Sequence, residues 1–440
     1  MFTFKGGIHP YEGKEITKDI PIKTVDLGDK VVIPGRQHIG APAKPVVEAG
    51  MRVLTGQIIA EAQGAVSANI HSSVSGTVKA IEPHLTVQGA KETCIVIEND
   101  HMYEKYEDES FDELLENFTK NNIRNIIRKC GIVGMGGAGF PTDIKLTPPE
   151  GTKIDYVIVN GSECEPYLTS DYRRMIEEPE AVVNGLKTIL LLFDDAQGII
   201  AIEDNKPEAI EKIRKLVKDE PRISVKVLYT KYPQGGERQL IYAATGRKIN
   251  SKMLPANAGC IVNNIDTVCA IYKAVSGRES LIERIVTVTG DAVKEPCNFR
   301  VRIGTMYSRL IEAAGGLTEE CEKIVSGGPM MGTAVFNTEV PVVKTSSAIL
   351  CLKKDPVAQA RHTNCINCGK CMEVCPENIM CTRLVEFAEH NDKEKFEKYH
   401  GLECIECGCC SYICPAKRDL TQLIKTMKRQ ILADKRGGKK

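Results

Sequence analysis

The sequence predicts a multidomain chain: an all-β unit first, then an α/β unit with a largely parallel sheet, a compact α+β module, and a cysteine-rich C-terminal segment. Three observations carry this. Short β-type runs between residues 42 and 98 are punctuated by glycine, strand and helix patterns alternate from 110 to 277, and eight of the 18 cysteines fall in two tight runs near the end. A chain of 440 residues exceeds one core, and its 42% apolar and 26% charged content is that of an ordinary globular protein.

In the first unit Gly50, Gly56, Gly64, Gly76 and Gly89 separate Val53-Leu54, Ile58-Ile59, Ile70 and Val74 to Val78, a spacing of tight turns between short strands. The elements Val47-Glu-Ala-Gly50, Gly56 to Ala62 and Ser75-Gly-Thr-Val78 resemble the biotinyl/lipoyl barrel-sandwich family. That family carries its cofactor on a hairpin lysine. Here the stretch is Gln63-Gly64-Ala65, so the resemblance implies an unmodified scaffold.

From Ser110 the period changes. Phe111, Leu114 and Phe118, then Ile123, Ile126 and Ile127, recur at helical spacing. Tyr156-Val-Ile-Val159 reads as a buried strand, Asp171 to Leu192 as helix, Gly198 to Ile202 as strand, Pro207 to Lys218 as an amphipathic helix opening on proline, and Ser224 to Leu228 as strand. Such alternation argues for a parallel sheet covered by helices. Val286 to Thr289, a helix near Tyr307–Ala314 and the turns Gly315-Gly316 and Gly327-Gly328-Pro329 make up the α+β module, which resembles the soluble-ligand-binding β-grasp family. The last 20 or so residues make a basic tail with Lys425, Lys428, Arg429, Lys435, Arg436, Lys439 and Lys440 against Asp434. It reads as a solvated helix with a frayed end, or as a docking surface for an acidic partner or lipid headgroups.

Composition excludes several function classes. With 58 basic and 58 acidic residues the formal charge is zero, and tryptophan is absent, so neither a global field nor aromatic stacking draws the chain to nucleic acid. The longest apolar run, Ile189 to Phe193, is far short of the roughly 18–20 residues of a membrane span, and the N-terminus has no secretory pattern. The cysteines therefore point to metal rather than to disulfides.

Cys365, Cys368, Cys371 and Cys375, the last before Pro376, are spaced as in the bacterial two-cluster ferredoxin run, and Cys404, Cys407, Cys410 and Cys414 before Pro415 repeat the spacing. Three close thiolates wrap one face of a cubane, while the fourth, ahead of proline, serves the other cluster. The pattern thus predicts one [4Fe–4S] cluster on Cys365, Cys368, Cys371 and Cys414, and a second on Cys404, Cys407, Cys410 and Cys375. Zinc sites instead use two cysteine pairs or Cys/His mixtures. Cys381 and Cys409 lie off register and read as spare thiols.

Gly134-Met-Gly-Gly-Ala-Gly139-Phe-Pro-Thr142 contains GxGxxG, but a helical pattern precedes it where an ordinary dinucleotide fold needs a strand. Together with Asn160-Gly-Ser-Glu-Cys-Glu-Pro166, Gly235-Gly-Glu237 and Asn263-Asn-Ile-Asp-Thr267, the loop resembles the FMN/NADH-binding family that includes the NADH-oxidising subunit of respiratory complex I. The resemblance implies noncovalent FMN held by Gly134, Gly136, Gly137, Gly139, Lys145, Asn160, Glu163, Gly236, Asn263 and Asn264. It also implies NADH stacked on Phe140, with Glu165 and Glu237 accepting hydrogen bonds from it. Glycine lets backbone N–H groups reach phosphate, lysine adds a point charge, and asparagine both donates and accepts. Met135, Ser162 and Arg238 stand where the complex I subunit has Arg, Asp and Glu.

The opening Thr3-Phe-Lys-Gly-Gly-Ile-His-Pro10 and this order of parts over nearly the whole chain resemble the RnfC family of Rnf electron-transport complexes. The implied layout is a barrel-sandwich hybrid over 1–100, an α/β flavin/NADH-binding domain over 101–280, a β-grasp module over 281–352, a ferredoxin-like two-cluster domain over 353–418 and the tail over 419–440. The implied function is a peripheral oxidoreductase subunit on the cytoplasmic face of the membrane. It would pass electrons between NAD(H), FMN and two clusters to membrane-bound Rnf flavoprotein and ferredoxin-like subunits, with Na⁺ or H⁺ movement coupled in the complex. The flavin belongs in the middle because nicotinamide moves electrons in pairs and a cubane takes them singly. The alternatives are the related cobalamin reductase of propanediol-utilising bacteria, or an iron–sulfur relay with a relic flavin fold.

Overall fold

The structure, a computed structural model, describes residues 2–116 and 119–437. Of the residues singled out above, Phe118, Lys439 and Lys440 lie outside the described residues.

The barrel begins at Lys30. Antiparallel strands Lys30–Pro34, Lys91–Asn99, Gly76–Leu85 and Arg52–Val53 form one sheet, and Lys44–Pro45, Ile58–Glu61 and Ile70–His71 a second. Val31, Ile33, Val53, Ile59, Ile70, Val78, Ile95 and Ile97 bury the shared core. Val32 points the other way, as strand alternation requires, and packs with Met306 of the α+β module. Residues 2–24 lie outside this barrel and strap the other units together. Phe2 bridges Leu228, Ile8 bridges Tyr232, and Lys23–Thr24 adds a parallel strand to the sheet of the α+β module. The Gly6-Gly7 pair makes the strap possible. Both have positive φ, and a Cβ at Gly6 would lie 2.8 Å from the Cys375 carbonyl oxygen.

Four parallel strands form the α/β unit in the order Ile223–Leu228, Gln197–Glu203, Tyr156–Gly161, Cys260–Asn264. The strands are near-continuous apolar runs because helices cover both faces. Pro179–Leu190 and Ile265–Gly277 join one core, and Glu237–Thr245 packs on the other face. The single helix expected over 171–192 is two, Ser170–Glu177 and Pro179–Leu190. Pro179 lacks the N–H that a continuous helix needs and takes the first-turn position instead.

A six-stranded mixed sheet forms the α+β module, in the order Lys23–Thr24, Cys297–Arg302, Glu283–Thr289, Ala348–Leu352, Lys323–Ser326, Thr333–Val335. The two-cluster region is helical, with no strand among its described residues. Leu420–Gly437 of the basic tail is a packed helix: Leu420, Ile424, Met427 and Ile431 bury one face in the cysteine-rich core. Lys428 donates to the Cys404 carbonyl at 2.6 Å, Lys425 and Lys428 approach Glu406, and Lys435 pairs with Glu397, so much of its charge is answered within the chain.

Candidate active site and cysteine cavities

The parallel sheet reverses its order between Tyr156–Gly161 and Cys260–Asn264, and the crevice beyond the carboxyl ends at such a reversal is where open α/β sheets bind ligands. Asn160 and Asn264 are register partners there. Beyond them opens a cavity of about 800 Å³, walled by all four units. The predicted loop lines it from Gly134 to Phe140, and the loop is closed on itself by Gly134 N–H donating to the Phe140 carbonyl at 2.9 Å. Met135 N–H is anchored on Thr267 Oγ1 at 3.0 Å. Gly136 passes so close to Asn264 that a Cβ would lie 2.9 Å from the asparagine Cβ, whereas one at Gly137 would meet nothing within 4 Å.

Lys145, at the end of the short helix Thr142–Lys145, enters the cavity and donates to the Val262 carbonyl at 2.9 Å. Burial lowers its pKa, and the charge of Glu237 partly offsets this. Among the described residues no carboxylate forms an ion pair with it, so an ammonium with donors to spare faces the cavity. Asn160 Nδ2 donates to the Gly235 carbonyl at 2.9 Å and its Oδ1 accepts from Ser162 N–H at 3.0 Å, which fixes the Gly235-Gly236 turn and the start of helix Glu237–Thr245.

The acidic residues divide their work. Glu163 accepts from the N–H groups of Asp171 (2.9 Å) and Tyr172 (3.3 Å), so its carboxylate caps the helix starting at Ser170. Glu165 Oε1 accepts from the N–H groups of Met330 and Met331, at 2.9 and 2.8 Å. Those bonds draw the Gly327-Gly328 turn of the α+β module over the cavity, and burial raises the Glu165 pKa against their pull. Glu165 is thus spent, at least through one oxygen, on holding a wall, while Glu237 faces the space. Asn263 is the one predicted residue that does not line the cavity. It is buried on the opposite side of its strand from Val262 and Asn264, as alternation dictates, with neither amide atom hydrogen-bonded.

Sequence reasoning missed Asp171, which accepts from Asn264 Nδ2 at 2.6 Å and whose pKa is raised by burial and by the neighbouring charges of Glu163 and Asp266. It also missed Gln88 at the tip of the barrel hairpin, and that Cys407, read as a cluster ligand, stands on the cavity wall as well. Beside the Met135 position, Arg284 places Nη1 2.7 Å from the Met135 sulfur and 2.6 Å from Asp266 Oδ2. The residues fit a flavin mononucleotide. An anion-seeking lysine, a glycine loop open at Gly137 and the buried, unpartnered Ser162 Oγ all meet at one cavity.

The eight ligand candidates gather in two quartets. Cys375, Cys404, Cys407 and Cys410 line one small cavity, and Cys365, Cys368, Cys371 and Cys414 another. Each quartet joins three cysteines of one run to the fourth of the other. No three Cys, His or carboxylate side chains among the described residues converge on a single ion, whereas four thiols around a void suit a cubane. Cys381 is buried and lines the first of these cavities, its thiol donating to the Cys371 carbonyl at 3.5 Å. The nearby Cys381 thiol lowers the pKa of Cys371, Cys375 and Cys410 to about 7, so Cys381 lies beside members of both quartets. Cys407 lines both the large cavity and the first cysteine cavity, and Tyr232 Oη donates to its carbonyl at 2.8 Å.

Comparison with known proteins divides the chain in the same way. Family models match for the RnfC barrel sandwich hybrid domain over residues 2–102, the Nuo51 FMN-binding domain over 127–273, the SLBB domain over 285–334 and a 4Fe-4S dicluster domain over 359–415. The chain is 43% identical to the C component of the Na(+)-translocating ferredoxin:NAD(+) oxidoreductase complex of Acetobacterium woodii, over 99% of this chain and 98% of that one. It is 44% identical to the proton-translocating counterpart of Clostridium ljungdahlii, over 97% and 93%. A chain of an NAD+-reducing [NiFe]-hydrogenase crystal structure shares the fold over 67% of this chain and 56% of its own, with TM-score 0.50 and 18% identity.

Proposed function

Because this chain belongs to the RnfC family, the C components of ion-translocating ferredoxin:NAD+ oxidoreductase complexes, we propose that the large cavity and the two cysteine quartets form its electron path. The protein is an electron-transferring subunit with FMN and iron–sulfur clusters that works between NAD(H) and ferredoxin, in a complex that moves Na⁺ or H⁺. Bound in the large cavity, FMN would supply the exchange between the hydride pair of nicotinamide and single electrons, and clusters held by the two quartets would accept those electrons one at a time. Lys145 and the N–H groups of the Gly134–Phe140 loop hold the phosphate, while Asn160 and Asn264 orient the flavin. Phe140 offers the nicotinamide an apolar face, and Glu237 accepts from it.

The observation that carries this reading is the shared wall: Cys407 borders both the flavin cavity and the cavity of Cys375, Cys404 and Cys410. That quartet therefore faces the flavin. Cys365 and Cys368 of the other quartet are exposed, which turns it toward the next carrier, a membrane-bound subunit. No helix among the described residues is long and apolar enough to cross a membrane, and membership of the complex supports a peripheral subunit docked at the cytoplasmic face. The cobalamin reductase and the flavin-free relay are not favoured, given near full-length relatives named as complex subunits and a cavity that fits flavin. Anaerobic purification tests the proposal. The folded protein is expected to hold FMN and iron for two clusters, and NADH is expected to bleach the flavin and reduce a cluster. Folded, iron-loaded protein that takes up no flavin returns the relay reading.

A further inference from the structure

Arg238 stands where the complex I subunit has an acid; it lines the flavin cavity and reaches with its guanidinium to the cluster domain. Its Nη1 lies 2.8 Å from Glu377 Oε2 and 3.0 Å from Glu403 Oε2. Glu377 follows Cys375-Pro376 and Glu403 immediately precedes Cys404, so one nitrogen grips both chain segments that bring ligands to the flavin-facing quartet. Neighbouring groups complete the joint. Gln239 Nε2 donates to Glu377 Oε1 at 2.6 Å, Ser251 N–H donates to Glu403 Oε2 at 2.7 Å, and Ser251 Oγ bonds the other Glu403 oxygen. The three ionic side chains are only 13–25% exposed, where solvent screens them less than at an open surface. In the other quartet Cys365 and Cys368 are exposed, and among the ion pairs of the described residues only this latch joins the α/β unit to the cluster domain.

We infer that Arg238, Glu377 and Glu403 form a latch that positions the flavin-facing cluster against the flavin cavity, with Arg238 as a positioning residue rather than a catalytic one. The inference rests on the electron path proposed above and adds the device that sets its first gap. Electron transfer between two carriers depends on their separation, and here that separation is fixed across a joint between domains. A backbone bond from Gly7 N–H to the Val374 carbonyl (2.8 Å) and a side-chain bond from Tyr232 Oη to the Cys407 carbonyl also reach the cluster domain, but they carry no charge. The latch is its ionic part.

The test uses the full chain, purified anaerobically with flavin and iron counted. Glu403 lines neither the flavin cavity nor a cysteine cavity, so in Glu403→Gln the bleaching of flavin by NADH is expected to keep its wild-type rate. The cluster signal that follows, read by electron paramagnetic resonance, is expected to rise more slowly. Amide hydrogen exchange over 373–378 and 401–406 is expected to quicken about tenfold in Glu403→Gln and in Arg238→Gln, the factor that about 1.4 kcal/mol of lost docking free energy supplies. The double variant is expected to open no further than Arg238→Gln alone, because Arg238→Gln already removes the pair that Glu403→Gln breaks. Arg238→Lys restores most of the protection, since a single nitrogen makes both contacts. Unchanged exchange in both segments, or additive effects in the double variant, overturns the latch. A wild-type protein that holds flavin and iron yet is not bleached by NADH overturns the functional reading instead, and the exchange data then still decide the latch.

Discussion

Replacing Lys145 by methionine removes one charge and keeps most of the stem, so it isolates what the ammonium does in the flavin cavity. The amine spends one hydrogen bond on the Val262 carbonyl, at 2.9 Å, and an ammonium has three to give. A charge-assisted bond to an anionic ligand contributes about 1.5–3 kcal/mol. Its loss is then expected to weaken FMN binding roughly ten- to hundredfold. The cost to the fold is about 1 kcal/mol for the Val262 bond, too little to unfold a domain of this size. The pH dependence gives a second handle. Burial places the Lys145 pKa below the ordinary 10.5, so the cation that attracts phosphate is lost sooner as pH rises. FMN affinity of the parent protein is therefore expected to fall on the alkaline side, below the pH at which an ordinary lysine titrates, and Lys145→Met removes that limb. The assay is titration of flavin-stripped protein with FMN, followed by fluorescence across pH, with iron content as the control for folding. Equal affinity in the two proteins, with the same alkaline fall, would refute the role given to Lys145.

Cys375→Ser is expected to damage the cluster of Cys404, Cys407 and Cys410 and to spare that of Cys365, Cys368 and Cys371, as read by electron paramagnetic resonance of the reduced protein. Damage confined to the latter would show that each run keeps its own fourth cysteine. Phe140→Ala, loaded with flavin, is expected to raise the apparent NADH dissociation constant roughly five- to hundredfold, from about 1–3 kcal/mol of lost apolar contact. Steady-state reduction of ferricyanide checks it. Lys344, fully buried where barrel, α/β unit and α+β module meet, donates to the carbonyls of Asn69 (2.6 Å) and Gly131 (2.7 Å), and burial lowers its pKa to about 7. Unfolded chains keep that proton to about 10.4, so the unfolded state binds more protons between these values and stability rises with pH across the window, by on the order of 4 kcal/mol. Denaturant midpoints measured from pH 7 upward are expected to lose this rise in Lys344→Met.

What the sequence announces depends on how local the cause is. The cysteine runs are local, since spacing and the following proline are written within a dozen residues, and they read directly. The parallel sheet was legible for the same reason, because Tyr156 to Val159 and Gly198 to Ile202 are apolar runs bounded by polar turns. Residues 2–24 were not, because a strap has no periodicity of its own and Gly6-Gly7 signals only that some close approach exists. The tail misled for a different reason. Its lysines are plain in the sequence, while Leu420, Ile424, Met427 and Ile431 at helical spacing were the stronger signal and set its packing. In the cavity the motif residues came together except Asn263, which strand alternation turns away. A motif names the strand end, and the pleat decides which of two adjacent asparagines faces the ligand. Glu165 shows a further limit: its motif marks it for the ligand, but the carboxylate meets Met330 and Met331, which lie 165 and 166 residues along the chain.

The cofactor sites of this chain are completed at its joints rather than within its domains. Glu165 of the α/β unit shapes the cavity by pulling in a turn of the α+β module, and Cys407 of the cluster domain closes another wall. Gly6 lets the strap run against Cys375, and Arg238 crosses from the flavin helix to the acids beside Cys375 and Cys404. Apart from Cys407, none of these groups need exchange an electron, yet each fixes a distance that electron transfer depends on. Interfaces between domains within a chain are by default mobile unless large and apolar, and this one sets the polar latch beside an apolar cluster of Ile8, Tyr232, Cys407 and Cys409. Polar contacts of fixed geometry, two of them ionic and converging on one nitrogen, hold position more narrowly than apolar contact, which tolerates sliding. An arrangement of this kind also leaves the exposed quartet of Cys365 and Cys368 free to meet a carrier without disturbing the gap behind it. Rigidity is needed on the flavin side of the cluster domain and access on the other, and the placement of charge follows that division.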